Sequence, residues 1–420
     1  MITVMNRAGE TTGQGVTHLG WVLWVTFLAS LGTGVFWHGL SFIAKHTYGF
    51  GQTRNLLLYA LMGAVYAVGA FGAGAVTRRL RRLMSPRGLL AWAITLQAAV
   101  CALPITTTSE WALWVAAGAV SMLASLTWPI IESFVTAGRH GPRMRSAIGW
   151  FNMTWMPATV VPMFVMAPIL QNHGEWAIGG LVVVNLVAVG ALIFFPSYPA
   201  EHDAAIAAAH VTDSYPHLLR SVRVLLPFSY VLTSVVTPLL PYRFAQLGVV
   251  DVEWETPCTA TWMIVRIAAL VVMWWVPFWH GRWGTLLLGA LAMAGGFAVI
   301  VLAGSLPLLL LGFGGMGVGL GVIYNAALYY AMSTGGAAVE AGGTHEALIG
   351  AGYAVGPLIG LAGTALGGGA VVVGFVLALM AVSAVPAVLP YLASGGRRKP
   401  IDWIPSENGS EEASPKGPDH

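Results

Sequence analysis

Arg266 and Glu132 each stand alone in a long stretch that holds no other Asp, Glu, Lys or Arg. In a membrane span such a charge costs about 2.5–3.5 kcal/mol near the centre, so it is rarely idle. A guanidinium is a permanent cation with five donors, suited to carboxylate, phosphate or hydroxyl groups. Arg266 is therefore expected to bind an anionic or strongly polar solute; the competing reading is a structural charge paired to helix carbonyls or to an acid. Glu132 follows Trp128-Pro129. It reads either as a proton-binding carboxylate or as an ion pair with Arg79, Arg82 or Arg145 that closes one end of the molecule. Its position near the end of its run favours the gate.

Weaker signals surround these two. His38, in Phe36-Trp37-His38-Gly39, is able to hydrogen-bond a solute or to titrate; a satisfied buried histidine is the plainer alternative. Asn152 and Trp155 are three residues apart and share a helix face. Tyr324 and Asn325 are adjacent and point apart by about 100°, so at most one is expected to be central. With 17 Trp in the chain, many must anchor at the membrane interfaces, so any single one is expected to be an anchor before a ligand contact. His345-Glu346 opens an apolar run, where an acid complements the helix dipole; a place in the gate is the second reading. Gly312, Gly314, Gly315, Gly317, Gly319 and Gly321 indicate close helix packing. They are not a phosphate loop, since no Lys-Ser/Thr follows them. The histidines are scattered, and Cys101 and Cys258 lack metal-site spacing. No metal site, catalytic centre or cofactor is expected.

The elements that position these residues follow from composition. The chain is 57% hydrophobic and 9% charged, against about 25% charged in soluble domains. Such a chain covers a lipid-facing surface, not a water-facing one. Twelve apolar runs are long enough to cross a core of about 30 Å: 18–43, 55–76, 87–106, 111–136, 147–171, 176–196, 224–247, 257–280, 284–303, 306–333, 346–366 and 369–393. They lack the alternation of barrel strands, so they are helices. The expected class is an all-α polytopic membrane protein with twelve transmembrane helices in two six-helix bundles. Residues 1–17 form a polar N-terminal segment, 18–196 the first bundle, 197–223 a polar central loop, 224–393 the second bundle, and 394–420 a tail whose Gly, Ser, Glu and Pro content predicts disorder.

Charge sets the orientation. Arg78, Arg79, Arg81, Arg82, Arg87, Arg139, Arg143, Arg145, Arg220, Arg223 and Arg282 fall on one set of loops, and Lys45, Arg54 and Arg243 on the alternate set. The arginine-rich loops belong inside, which places both termini in the cytoplasm. The basic residues lie in short runs between apolar spans, so they encode topology rather than nucleic-acid binding. A faint repeat supports the division into halves. AIGWFNMTWMP at 147–157 and LIGAGYAVGP at 348–357 each open the fifth span of a half, as internal repeats in transporters do.

This layout resembles the major facilitator superfamily over about residues 18 to 393. That family carries a Gly-x-Leu-x-Asp-Arg-x-Gly-Arg-Arg pattern between helices 2 and 3. Here the place reads Gly74-Ala75-Val76-Thr77-Arg78-Arg79-Leu80-Arg81-Arg82. Gly74, Arg79 and Arg82 match; Arg78 replaces the Asp and Arg81 the second Gly. In the second half His280-Gly281-Arg282-Trp283 keeps a basic turn, and Leu240-Pro241-Tyr242-Arg243-Phe244 at the end of helix 7 also resembles the family. The resemblance implies alternating access around a cavity lined by helices 1, 4, 7 and 10, with 2, 5, 8 and 11 beside them. The expected function is a secondary active transporter of a small organic solute in a bacterial cytoplasmic membrane. Proton coupling is an open reading, assigned to Glu132 and Glu346. The partners are the solute and the lipid bilayer, with no nucleic acid. A transport-inactive receptor or scaffold is the alternative, suggested by the altered motif. A membrane enzyme is disfavoured, and no ATPase motif appears.

Overall fold

The apolar runs fold as long helices in a computed structural model, which describes residues 14–80, 82–107, 109–200, 214–249, 251–334, 339–366 and 368–393. In chain order they are α1 (Leu19–His46), α2 (Gln52–Leu80), α3 (Pro86–Thr106), α4 (Glu110–Thr136), α5 (Arg143–His173), α6 (Glu175–Phe194), α7 (Tyr215–Gln246), α8 (Val252–Trp275) and α9 (Trp283–Leu302). The last three are α10 (Leu306–Thr334), α11 (Val339–Leu366) and α12 (Gly369–Ala393). Eleven are long and apolar enough to cross a membrane, and α12 is apolar over Gly369–Val382. Their outer faces carry large apolar side chains such as Phe71, Leu287, Leu288 and Leu291. Exposed apolar surface of that extent is stable against lipid and not against water. The chain is an integral multi-pass membrane protein.

Two helices start earlier than the hydropathy suggested. α7 begins at Tyr215, inside the segment expected to be a loop. Leu218, Leu219, Val222, Leu225 and Leu226 are buried while Arg220 and Arg223 are exposed, so this entry turn is amphipathic at helical spacing and its polar face disguised it. α11 begins at Val339 rather than at 346. Glu346 is therefore two turns inside the helix, and the helix-dipole reading of its position is overturned. At the other end of the motif region, α2 continues as helix through Gly74–Leu80. The expected tail at 394–420, the segment 1–13 and residues 201–213 lie outside the described residues.

Neighbouring helices pack within each half, including α2 with α4, α3 with α6, α8 with α10 and α9 with α10. The two bundles meet chiefly through α2 against α11 and α5 against α8, with α4 also touching α11. These two principal pairs occupy equivalent places in the two halves, and the repeat read from the sequence explains how. Gly149 and Gly350 are its shared glycine. A Cβ on Gly149 would lie 2.2 Å from the Trp274 ring of α8, and one on Gly350 would lie 2.7 Å from Ala67 Cα of α2. Small residues let helices approach where no hydrophobic force drives them together in lipid. One irregularity breaks α1: over Gly34–Gly39 its hydrogen bonds widen to i→i+5 spacing. Such single turns often mark functional positions, and this one carries Trp37 and His38.

Short contacts also join the arginine-rich ends of the first bundle. Gln14–Gly15 pairs with Tyr198–Pro199, Arg139 Nη2 donates to Thr17 O at 2.9 Å, and Arg87 Nη1 donates to Phe195 O at 2.8 Å.

Candidate functional site

Arg266 is 3% exposed and sits midway along α8. The helix is held there by α10: a Cβ on Gly317 would lie 2.4 Å from Trp262 O, and one on Gly321 3.0 Å from Arg266 O. That approach brings the guanidinium over two rings, 5.0 Å from the centre of Trp155 and 4.9 Å from that of Tyr324. The ring faces attract the cation. Its Nη2 lies 3.4 Å from the Tyr230 hydroxyl, and its Nε has no partner. Among the described residues no carboxylate forms an ion pair with it. A permanent charge is thus buried with donors to spare.

Aromatic side chains from both bundles extend from this point. Tyr230 packs on Tyr353 with ring centres 4.9 Å apart, and Tyr353 stacks on Trp37 at 3.8 Å. Trp37 meets Tyr66 edge-on at 5.6 Å, and the Tyr66 hydroxyl donates to Glu346. His38 sits edge-on to Trp262 at 5.1 Å, with its Nδ1 unpartnered. Polar bridges cross the bundle interface beside them. Asn152 Nδ2 donates to Asn325 Oδ1 at 2.8 Å, and Trp155 Nε1 donates to Asn152 Oδ1 at 2.9 Å. Tyr324 faces His345 with ring centres 5.5 Å apart. Donor atoms of Glu132, His345 and Glu346 lie within 4.8 Å of one another.

Among the described residues, contacts between the bundles cross the interface toward both of its ends. At the arginine-poor end Glu255 of α8 lies 2.8 Å from His46 Nε2 and 3.5 Å from Lys45 Nζ of α1. Lys45 Nζ also donates to Pro241 O at 2.6 Å, and the Tyr242 hydroxyl to Phe50 O at 2.6 Å. Toward the arginine-rich end Trp150 of α5 meets Trp274 of α8 at 5.1 Å. At this arginine-rich end a small space of about 10 Å3 touches Glu132, Val135, Thr136, Ile148, Phe151 and Leu328. That is room for about one water.

The structure gathers Arg266, His38, Asn152, Trp155, Tyr324 and Asn325, all buried. The expectation that only one of Tyr324 and Asn325 faces inward fails, because α10 is enclosed by α7, α8 and α5 and offers two inner sides. The expected pairing of Glu132 with loop arginines is also corrected. Neither Glu132 oxygen has a hydrogen-bond partner, Arg79 and Arg82 are exposed, and Arg145 is half-buried. Glu132 instead faces the other bundle. The sequence reading missed Trp37, Tyr66, Tyr230, Trp262, Tyr353 and the buried acid Glu255. One signal pointed to Tyr353: it stands three residues after Gly350, as Asn152 stands three after Gly149.

Against known proteins, no protein-family model matches the sequence and no curated protein matches it. Solved structures do match. The crystal structure of the nucleoside transporter NupG is similar at TM-score 0.58 and 12% identity, covering 90% of this chain and 99% of that one. The crystal structure of the human organic anion transporter MFSD10 is similar at TM-score 0.65 and 14% identity, covering 88% and 98%. With its two six-helix bundles and its paired cross-bundle helices, the chain shares the fold of these two transporter structures.

Proposed function

We propose that the chain is a secondary transporter that moves a small organic anion bearing a ring, by alternating access about the Arg266 site. The observation that carries this reading is a buried guanidinium between two bundles, framed by Trp155 and Tyr324 and unpaired to any acid among the described residues. A carboxylate or phosphate would accept its free donors, and the rings of Trp37, Tyr230 and Tyr353 would stack on a planar solute. The similar structures are transporters of nucleosides and of organic anions; a lone cation at the centre favours the anion. His38, Asn152 and Asn325 supply polar contacts on the flanks.

In this reading the arginine-rich loops face the cytoplasm, and the ion-paired end faces outward. Lys45, His46 and Glu255 form the outer gate. Glu132 and Glu346, with Arg145 nearer the surface, belong to the inner gate and are the groups for proton coupling. Arg79 and Arg82 serve the topology rather than the closure. Driving force comes from a gradient or from the solute itself.

The test is uptake into ATP-free liposomes containing the purified chain. A panel of carboxylated and phosphorylated ring compounds, with their neutral counterparts, should give accumulation of an anion that Arg266→Ala abolishes. Transport of a neutral ring compound, unaffected by Arg266→Ala, would overturn the assignment.

A further inference from the structure

We propose that Glu132, His345 and Glu346 form a binding site for one divalent transition-metal ion of the zinc class, held between the two bundles. The three side chains are 2%, 3% and 4% exposed, so bulk water does not satisfy them. Donor atoms from all three lie within 4.8 Å of one another. Both oxygens of Glu132 and Nε2 of His345 have no hydrogen-bond partner. Buried polar atoms are almost always paired, and three orphans converging on one point mark a place where something positive binds. No lysine or arginine forms an ion pair with either carboxylate among the described residues. Two like charges at this spacing repel unless a cation or a proton lies between them.

The donor set selects the ion. One imidazole nitrogen and two carboxylate oxygens suit zinc or a neighbouring transition metal. Calcium requires six to eight oxygens and magnesium keeps an octahedral shell of waters, for which this pocket has no room. Zinc holds three protein ligands plus one water in open sites, so one imidazole and two carboxylates are a sufficient protein ligand set. Bonds of about 2.0–2.2 Å draw the donors closer than they stand here; the Glu132 side chain, whose oxygens have no hydrogen-bond partner, is free to make that approach. The Tyr66 hydroxyl, donating to Glu346, fixes that carboxylate as outer partners of metal ligands do.

Placement gives the site a consequence. Glu132 belongs to α4 of the first bundle, and His345 and Glu346 to α11 of the second. The three ligands come together only when the bundles are closed at this end. An ion bound there stabilises the closed arrangement by mass action. His345 also faces Tyr324, which covers Arg266, so metal and solute sites share one ring. The metal site itself stands on the three ligands and does not depend on the transport reading.

The test uses the purified full-length chain in detergent, stripped with a chelator and titrated with ZnCl2. Calorimetry should show one tight Zn2+ per chain and melts a higher transition temperature, while MgCl2 and CaCl2 leave the melt unchanged. Tyr66→Phe should weaken binding by about tenfold. Glu132→Gln, His345→Gln and Glu346→Gln should each weaken it more. Zinc held on exposed histidines such as His173, 67% exposed, persists in every variant and cancels in the comparison. Should a variant fail to fold, Co2+ added to the unmodified chain reports directly: an intense low-coordination absorption supports the site, and the faint spectrum of hydrated Co2+ overturns it. Equal Zn2+ affinity in the wild type and all three ligand variants also overturns it, as does a wild-type melt that Zn2+ leaves unmoved, which would mean that a proton alone occupies the pair.

Discussion

The two ends of the bundle interface close by different physics. At the arginine-poor end opposite charges meet: Glu255 of one bundle holds Lys45 and His46 of the other. Toward the arginine-rich end two acids meet: Glu132 and Glu346 converge beside His345, and the closure rests on packing of α2 on α11 and of Trp150 on Trp274. The first end is complementary as it stands. The second pairs no basic side chain with its acids among the described residues. An end that carries its own counter-charge opens only when those pairs are replaced, whereas an end built on an acid pair responds to whatever cation or proton the pair holds.

The comparison breaks most completely through the packing that the second end depends on. Gly350→Leu would drive a side chain into the α2 backbone at Ala67. Overpacking costs about 1–3 kcal/mol, and more where the obstacle is backbone. Cysteine cross-linking between α2 and α11 should be lost, with a lower melting temperature. Next in size is Glu255→Gln, which leaves the Lys45 charge without its acid. Losing a hydrogen bond to a charged group costs about 1.5–3 kcal/mol, so the arginine-poor end should open by roughly 10- to 100-fold more. A cysteine placed at the buried Thr259 should then label faster. Glu132→Gln sharpens the contrast because its sign is reversed. In chelator an amide donates to Glu346 instead of repelling it, and the closed form should gain ~1 kcal/mol, read as a raised melting temperature. Arg54→Ala is the smallest. Its pair with Glu110 is short at 2.9 Å, but the two side chains are 58% and 49% exposed. Such pairs contribute about 0–1 kcal/mol, so the melt should barely move.

Much of the fold was legible because the spans are long apolar runs, and lipid makes hydropathy a direct readout of helix existence. The entries of α7 and α11 were not. Leu218, Leu219 and Val222 alternate with His217, Arg220 and Arg223, so an amphipathic turn averages to a loop. Arg266 was legible because a lone charge in a span has few innocent explanations. Tyr66, Tyr230 and Tyr353 were not, because an aromatic residue in a span has the same composition whether it faces lipid or the centre. Glu132 and His345-Glu346 lie in different halves, and nothing local to either stretch announces the other. Only the three-dimensional meeting of α4 with α11 joins them. The Gly149 and Gly350 repeat was the one internal cue that α5 and α11 do equivalent work, and the structure gives its cause in two close cross-bundle contacts.

In the proposed mechanism Arg266 anchors the solute rather than the fold. Ligand binding and thermal melting, measured on the same purified preparations of wild type, Arg266→Ala and Arg266→Lys, test it most directly. Arg266→Ala should melt close to wild type and no longer bind. Arg266→Lys should bind almost as poorly, because the charge remains while the planar fork of donors is lost. A destabilised Arg266→Ala that binds with wild-type affinity per folded molecule would contradict it.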